Sequence, residues 1–307
     1  MSYHIVTIDS PEVYITCRHG QLICDCKDGG IKQLPIEDVA SVVITSFSST
    51  VHSQVLNLAA EYGVSIIFCK DFKPQSILMP ANRSSDTVLT KIFVETSREQ
   101  MSKYWLKTID AKCENQYEIA KIIAPKFSKL DNIKTTCLRS TPLKESQCAR
   151  YYWQCYAYAI QNREFRRNNE NFEANKLLDF GYSMLMSIVM QKIFAFGLDA
   201  SYGIGHLVRE YSAPLVYDLM EPFRPYIDYY VYTWLMNENF LLKEICVNIG
   251  FKQYILKSFL KKASYCGKVM EFKTVIEEVV RSFRNSVKKQ DISIYKPWTI
   301  KNSKWVG

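Results

Sequence analysis

Asp218 and Glu221 stand three residues apart in Tyr217-Asp218-Leu-Met-Glu221-Pro-Phe-Arg224-Pro225, a spacing that puts both carboxylates on one face of a helix. Two acids on one face repel unless a cation neutralises them, and Arg224, three residues past Glu221, is the simplest counter-ion. Leu215, Val216, Leu219, Met220 and Phe223 argue against a solvated face, because they demand burial of much of the same segment. Pro222 and Pro225 lack the amides that would bond the carbonyls of Asp218 and Glu221, so the helix is expected to bend at the acids and aim them toward a ligand.

Two further groups could join them. His206 closes the glycine-punctuated stretch Gly197-Leu-Asp-Ala-Ser-Tyr-Gly-Ile-Gly-His206; the other histidines, His4, His19 and His52, lie far upstream. Glu145 follows Ser140-Thr-Pro-Leu-Lys, where Thr141 is expected to cap a helix and Pro142 to occupy its first turn. Taken singly, a loop histidine and a first-turn glutamate have plain structural readings. Together, one imidazole and two or three carboxylates form a hard ligand set suited to Mg2+ or Mn2+. Such an ion suits phosphodiester chemistry, which points to nucleic acid as substrate. No competing pattern stands out: Cys148 shares the helix of Glu145 without a partner base, and neither glycine-rich phosphate loop occurs.

The elements that must position these groups fall into two blocks. The chain has 307 residues, 48% hydrophobic and 23% charged, enough for about two domains of ~150 residues. From Tyr3 to Met79, HIVTI, EVYITC, QLICDC, DVASVVIT and VSIIFC are short β-branched runs separated by turn signals, with one helix expected between Val51 and Tyr62 and ended by Gly63. Helical patterns follow over Thr87–Ala124, Pro142–Asn162, Phe172–Phe196, Pro214–Leu242 and Thr274–Lys289. The expected fold is α+β, with a small β-rich domain at 1–79, a linker at 80–90 and a larger all-α domain at 91–307. Segregation of strands from helices speaks against a parallel sheet, and each domain is expected to bury its own core.

The opening MSYHIVTIDS lacks a basic stretch before an apolar run, and the greasiest window, Leu177–Phe196, carries Asp179, Gln191 and Lys192. A cytoplasmic protein with no membrane span is expected, its ten dispersed cysteines reduced. The net charge of +8 is concentrated at the end: from Lys252 onward there are 13 Lys or Arg against 4 acids. That suits a polyanionic partner, with Lys261 and Lys262 as candidate phosphate contacts and the interleaved aromatics assigned to the core.

Four linked motifs carry a resemblance. Glu145-x3-Ala-Arg-Tyr-Tyr-Trp153, Asn175-Lys-Leu-Leu-Asp-Phe-Gly-Tyr182, Gly197-Leu-Asp-x3-Gly-x2-His206 and Asp218-Leu-Met-Glu-Pro-Phe-Arg-Pro225 resemble, in order and spacing, the Cas1 family of CRISPR-associated endonucleases and integrases. The resemblance spans nearly the whole chain, and the last motif is similar to the branch accompanying Cas9 systems. It departs at Ser146 and Ala200, where many relatives have glycine and proline.

The resemblance implies a metal-dependent DNA endonuclease that inserts spacers into a CRISPR array by attack of a DNA 3′-hydroxyl on a repeat-boundary phosphodiester. It assigns the catalytic metal ligands to Glu145, His206 and Glu221, and an accessory acidic position to Asp218. It further implies a homodimer joined through the β domains, two such dimers flanking a Cas2 dimer, and a basic stretch at Arg163, Arg166 and Arg167 toward DNA. Two other readings stay open from the residues: a stand-alone nuclease hydrolysing branched or single-stranded DNA, and a non-catalytic DNA-binding scaffold.

Overall fold

The computed structural model describes residues 4–27, 29–46, 48–70, 73–78, 87–139, 143–167, 169, 172–206, 213–237 and 247–301. The first part holds β1 (His4–Ile8), β2 (Val13–Arg18), β3 (Gln21–Cys26), β4 (Gly30–Pro35), β5 (Val39–Ile44), β6 (Thr50–Val51), α1 (Ser53–Glu61), β7 (Ser65–Lys70) and β8 (Lys73–Leu78). His19 and Gly20 both take positive φ, 50° and 73°, and so make the tight two-residue turn that joins β2 to β3. His52 caps α1 by accepting from the Gln54 amide at 3.2 Å, and Gly63 follows its end at φ 69°.

These strands form two four-stranded sheets, β4-β3-β2-β6 and β1-β5-β7-β8. In the second, β1, β5 and β7 run parallel, against the expectation from sequence. The excursion through β6 and α1 returns the chain to the same edge, which is the crossover that parallel pairing needs. The β-rich part buries a core of its own, as expected, but alternation along β5 and β7 makes its sheet contribute to the helical core as well. Val42, Ile44 and Ile66 face the first sheet and α1, whereas Val43, Ile67 and Cys69 join the core of the helical part. This sheet is buried on both faces, and Lys252 pairs with Asp9 across the same boundary.

The remainder comprises α2 (Thr87–Val94), α3 (Arg98–Ile123), α4 (Leu130–Cys137), α5 (Lys144–Ala159), α6 (Glu173–Ala195), α7 (Pro214–Met220), α8 (Arg224–Asn237), α9 (Ile249–Ser258), β9 (Lys262–Tyr265), β10 (Lys268–Glu271) and α10 (Phe272–Lys289). The architecture is thus mixed α+β, β-rich first and helical after, but the second part is not all-α: β9 and β10 form an antiparallel hairpin. Its turn residues Cys266 and Gly267 sit at φ 48° and 81°, the two-residue turn geometry seen at His19-Gly20.

Of the expected linker 80–90, residues 80–86 lie outside the described residues, and Thr87 onward is already helix. The single helix expected over Thr87–Ala124 is two, because Ser97 caps a new start by accepting from the Gln100 amide at 3.3 Å. Buried on nearly every side, α6 packs against α8, α10 and the parallel sheet. Among the described residues no helix is long and apolar enough to cross a membrane.

Candidate active site

Glu145 lies in the first turn of α5, which starts at Lys144 with Leu143 at the cap and no side-chain capping bond. That corrects the expected start; Thr141 and Pro142 lie outside the described residues. The carboxylate is half-exposed and reaches toward α3, where Lys112 Nζ approaches its Oε1 at 2.7 Å. The same ammonium lies 2.7 Å from Oε2 of Glu221, so one buried lysine bridges two acids from distant stretches of chain.

Glu221 sits where the expected bend occurs. The ladder changes to a 3-10 turn over Glu221–Phe223: the Glu221 amide bonds the Asp218 carbonyl, and the Arg224 amide bonds that of Glu221. These shorter-range bonds replace the ones that Pro222 and Pro225 cannot make. Asn115 of α3, wholly buried, donates to the Pro222 carbonyl at 2.6 Å and the Trp298 carbonyl at 3.1 Å while accepting from the Ile300 amide. The turn is therefore clamped from both sides. Arg224 Nε lies 3.0 Å from Glu221 Oε1, the predicted counter-ion.

Asp218 and Glu221 do not point at one ligand. Asp218, wholly buried, closes the His206 loop: its Oδ2 accepts from the amides of Ile204 (2.5 Å) and Gly205 (3.1 Å), and its Oδ1 from the amide of His206 (3.0 Å). Oδ1 also meets His206 Nδ1 at 2.6 Å. A side chain at Gly203 would fall 2.8 Å from Asp218 Oδ2, and one at Gly205 would enter the Trp105 ring at 2.2 Å, so both glycines are dictated by close approach. The Trp105 and His206 rings meet edge to face at 5.5 Å. With Nδ1 engaged, Nε2 is the nitrogen left for a ligand, the arrangement by which a carboxylate orients a metal-binding imidazole.

The protonation states reflect this crowding. The Asp218 hydrogen bond raises His206 above the usual imidazole range; burial opposes it, and the charges of Asp218, Glu221 and Glu145 assist. Burial pushes Glu221 up, but the nearby Arg224 and Lys112 outweigh it and hold the carboxyl below its ordinary range. Lys112 is the mirror case: burial is overcome by Glu221 and Glu145, and its pKa rises.

Among the described residues no three His, Cys, Asp or Glu side chains converge closely enough to hold an ion. Lys112 takes the central place instead, a cation 2.7 Å from an oxygen of each acid. Two carboxylates that already share one cation, beside an imidazole engaged through Nδ1, are a donor set that fits a hard divalent ion. Sequence reasoning missed Lys112, Asn115 and Trp105, because nothing local marks which α3 residues face the site.

It also missed Asp228. Tyr152 donates to its Oδ2 at 2.9 Å and Tyr182 to its Oδ1 at 2.5 Å, while Tyr156 donates to its carbonyl at 3.1 Å. Burial raises this carboxyl to about 6, the two tyrosines offsetting part of the effect. A folded-state pKa above the unfolded one means that the fold binds the proton more tightly. Stability from this group is therefore greatest in acid and declines as pH rises from about 4 to about 6, by about 3 kcal/mol. Urea unfolding of Asp228→Asn between pH 4 and pH 7 should lack this decline; a pH slope equal to that of the unsubstituted chain would refute the assignment.

Of the predicted DNA contacts, Arg163 and Arg166 are exposed, but Arg167 is not free: its guanidinium pairs with Asp179 at 2.6 Å and donates to Asn175 at 3.1 Å. Lys261 and Lys262 are exposed at the start of the β9–β10 hairpin, and among the described residues neither forms an ion pair. The expected core role of the interleaved aromatics holds for Phe259, Phe272 and Phe283, each at most 2% exposed.

A family model described as CRISPR associated protein Cas1 matches residues 6–262. The chain belongs to the Cas1 family. It is 23% identical over 342 residues to the CRISPR-associated endonuclease Cas1 of Korarchaeum cryptofilum, covering 96% of this chain and 98% of that one. Among solved structures it is similar in fold to a casposase bound to integration product (TM-score 0.76, 17% identity, 97% and 94% covered). It is similar also to a Cas1 protein from Thermotoga maritima (TM-score 0.75, 15% identity, 93% and 97% covered). Within this Cas1 chain each motif has a different place: Glu145 and Glu221 meet on Lys112, Asp218 holds His206, Tyr152 and Tyr182 meet on Asp228, and Asn175 with Asp179 holds Arg167.

Proposed function

We propose that this chain is a metal-dependent DNA endonuclease and integrase of CRISPR spacer acquisition, in which Glu145, His206 and Glu221 hold Mg2+ or Mn2+. The observation that carries this reading is the meeting of Glu145 and Glu221 on one ammonium beside an imidazole fixed through Nδ1. When bound, the ion supplies polarisation of a phosphoryl oxygen and compensation of its developing charge. Asp218 acts as a positioning residue, setting both the loop and the tautomer that leaves Nε2 unprotonated. Arg224 keeps Glu221 ionised in a buried place. Lys112 holds the two acids together, 2.7 Å from an oxygen of each, at the place where their carboxylates would hold the ion.

The reaction is transesterification: the 3′-hydroxyl of the incoming DNA gives up its proton as its oxygen bonds to a repeat-boundary phosphorus, the existing P–O bond there breaks, and the departing oxygen takes a proton. The form of the Asp218–Pro225 motif favours the branch accompanying Cas9 systems. Family resemblance further supports homodimers paired through the β-rich part, assembly with a Cas2 dimer, and action in the prokaryotic cytoplasm. Incubation with Cas2, Mn2+, a repeat-bearing plasmid and a short duplex with free 3′-hydroxyls should yield joined product. Cleavage without joining would support the stand-alone hydrolase instead, and DNA binding without either product the scaffold.

A further inference from the structure

Where α3, α4 and α5 pack against one another, three cysteines meet. Cys137 ends α4, Cys148 lies one turn past Glu145 on α5, and Cys113 follows Lys112 on α3. The sulfurs of Cys137 and Cys148 are 3.8 Å apart. Both thiols reach the same acceptor, the Cys113 carbonyl, at 3.1 Å from Cys137 and 3.9 Å from Cys148.

The three are not alike. Cys113 and Cys148 are wholly buried, whereas Cys137 is half-buried at a helix end, next to Leu138, which is 79% exposed. A small solute therefore reaches Cys137 first. A hydrogen bond from the Cys148 thiol holds Cys137 below the usual thiol range; burial opposes it, and the charge of Lys144 assists. Cys148 is displaced the other way, far above that range, by its bonds to the Cys113 and Cys137 thiols and by burial. One sulfur is thus suited to attack and its neighbour to stay protonated.

Packing alone explains Cys69 and Cys155, two buried thiols that burial pushes up to about 12 and that serve as small apolar side chains. It does not call for a half-buried thiol in contact with a second sulfur. A thiol of lowered pKa, open to solvent and poised beside a resolving cysteine, is the arrangement that peroxide chemistry uses. Closing the contact to a bond of about 2.05 Å moves the last residue of α4 rather than a helix interior.

We propose that Cys137 and Cys148 are a peroxide-responsive dithiol that closes to a reversible disulfide. The Cys137 thiolate attacks one oxygen of hydrogen peroxide, the O–O bond breaks, and the departing hydroxide takes a proton and leaves as water. Cys137, oxidised by two electrons, is now a sulfenic acid. The Cys148 sulfur then bonds to the Cys137 sulfur, the S–O bond breaks, and the hydroxide departs as a second water with the Cys148 proton. In sum, two thiols and one hydrogen peroxide give one disulfide and two waters. The new bond ties the end of α4 to α5 one turn from Glu145. This chemistry concerns the thiols alone and is independent of the reading of DNA as substrate.

The test maps the bond directly. Reduced full chain, freed of reductant, is treated with hydrogen peroxide, blocked with N-ethylmaleimide, digested with trypsin and analysed by mass spectrometry without reduction. The expected product joins peptides 135–139 and 145–150, which carry Cys137 and Cys148, and disappears after dithiothreitol. Unfolding the chain in urea before oxidation should lower its yield at least about tenfold, because only the fold holds the two sulfurs together. Cys148→Ala should abolish the link and leave Cys137 as a sulfenic acid that dimedone traps. Cys137→Ser, a change at a half-buried helix end, should abolish it and leave Cys148 alkylated only after unfolding; this variant decides alone if circular dichroism shows Cys148→Ala unfolded. A link from Cys148 to peptide 113–121, Cys137 oxidised past sulfenic acid without any link, both thiols still free, or equal yields from folded and unfolded chain would each overturn the proposal.

Discussion

Glu221→Gln should abolish DNA joining to the level of at least about a hundredfold loss while also lowering stability by about 3–5 kcal/mol. Both effects follow from one placement. The side chain is only 5% exposed and sits between Lys112 and Arg224, so its charge is the compensation for two cations held away from water. Glutamine preserves volume and removes the charge, leaving buried Arg224 without the acid beside it and Lys112 with Glu145 alone. It also removes one anionic oxygen donor from the proposed ion. Urea unfolding measures the first effect; Mn2+-dependent joining, assayed at a temperature where circular dichroism shows the variant folded, measures the second. Glu145→Gln separates them. That side chain is 36% exposed at a helix start, so it should lose comparable activity with much less loss of stability. Full joining by a folded Glu221→Gln chain would sink the assignment.

Lys112→Met should act in the opposite sense on metal binding. Its ammonium, 11% exposed, lies 2.7 Å from an oxygen of each acid, and removing it leaves two carboxylates with no cation between them, Glu221 keeping only Arg224. The metal-free chain should lose about 3–5 kcal/mol of stability. A divalent ion no longer has to displace the lysine, so Mn2+ should bind at least about tenfold more tightly by titration calorimetry. Its presence at a hundred times Kd should restore about 2.7 kcal/mol, read as a larger thermal shift than the unsubstituted chain shows. Weaker Mn2+ binding in a folded Lys112→Met chain would mean that the lysine supports the ion rather than standing in for it.

Much of the fold was legible where the signal is local. Alternating β-branched runs located β1, β2, β3, β5 and β7, and Gly63 located the end of α1. The elements that escaped carry weak or contradictory local signals. β4 is a mostly exposed edge, β6 has two residues, β8 contains Pro74, and the β9–β10 hairpin is two four-residue strands around Cys266-Gly267. The turn chemistry of that last pair was available in the sequence; the shortness of the strands hid it beneath the surrounding helical pattern. Parallel pairing of β1, β5 and β7 was misjudged because segregated composition says nothing about which edge a returning strand joins.

The candidate site divides along the same line. Residue types and short spacings alone singled out Glu145, His206, Asp218 and Glu221 as candidate groups, and determined that the chain must bend at Glu221, since two prolines remove specific amides wherever the helix lies. Only the tertiary structure decided their roles: Asp218 turns to the His206 loop, Glu221 to Lys112 and Arg224, and Asp228 to two tyrosines. The reason is that a buried charge takes whichever counter-charge or hydrogen-bond donor packing brings within about 3 Å, and those partners come from helices whose order along the chain carries no record of their neighbours in space.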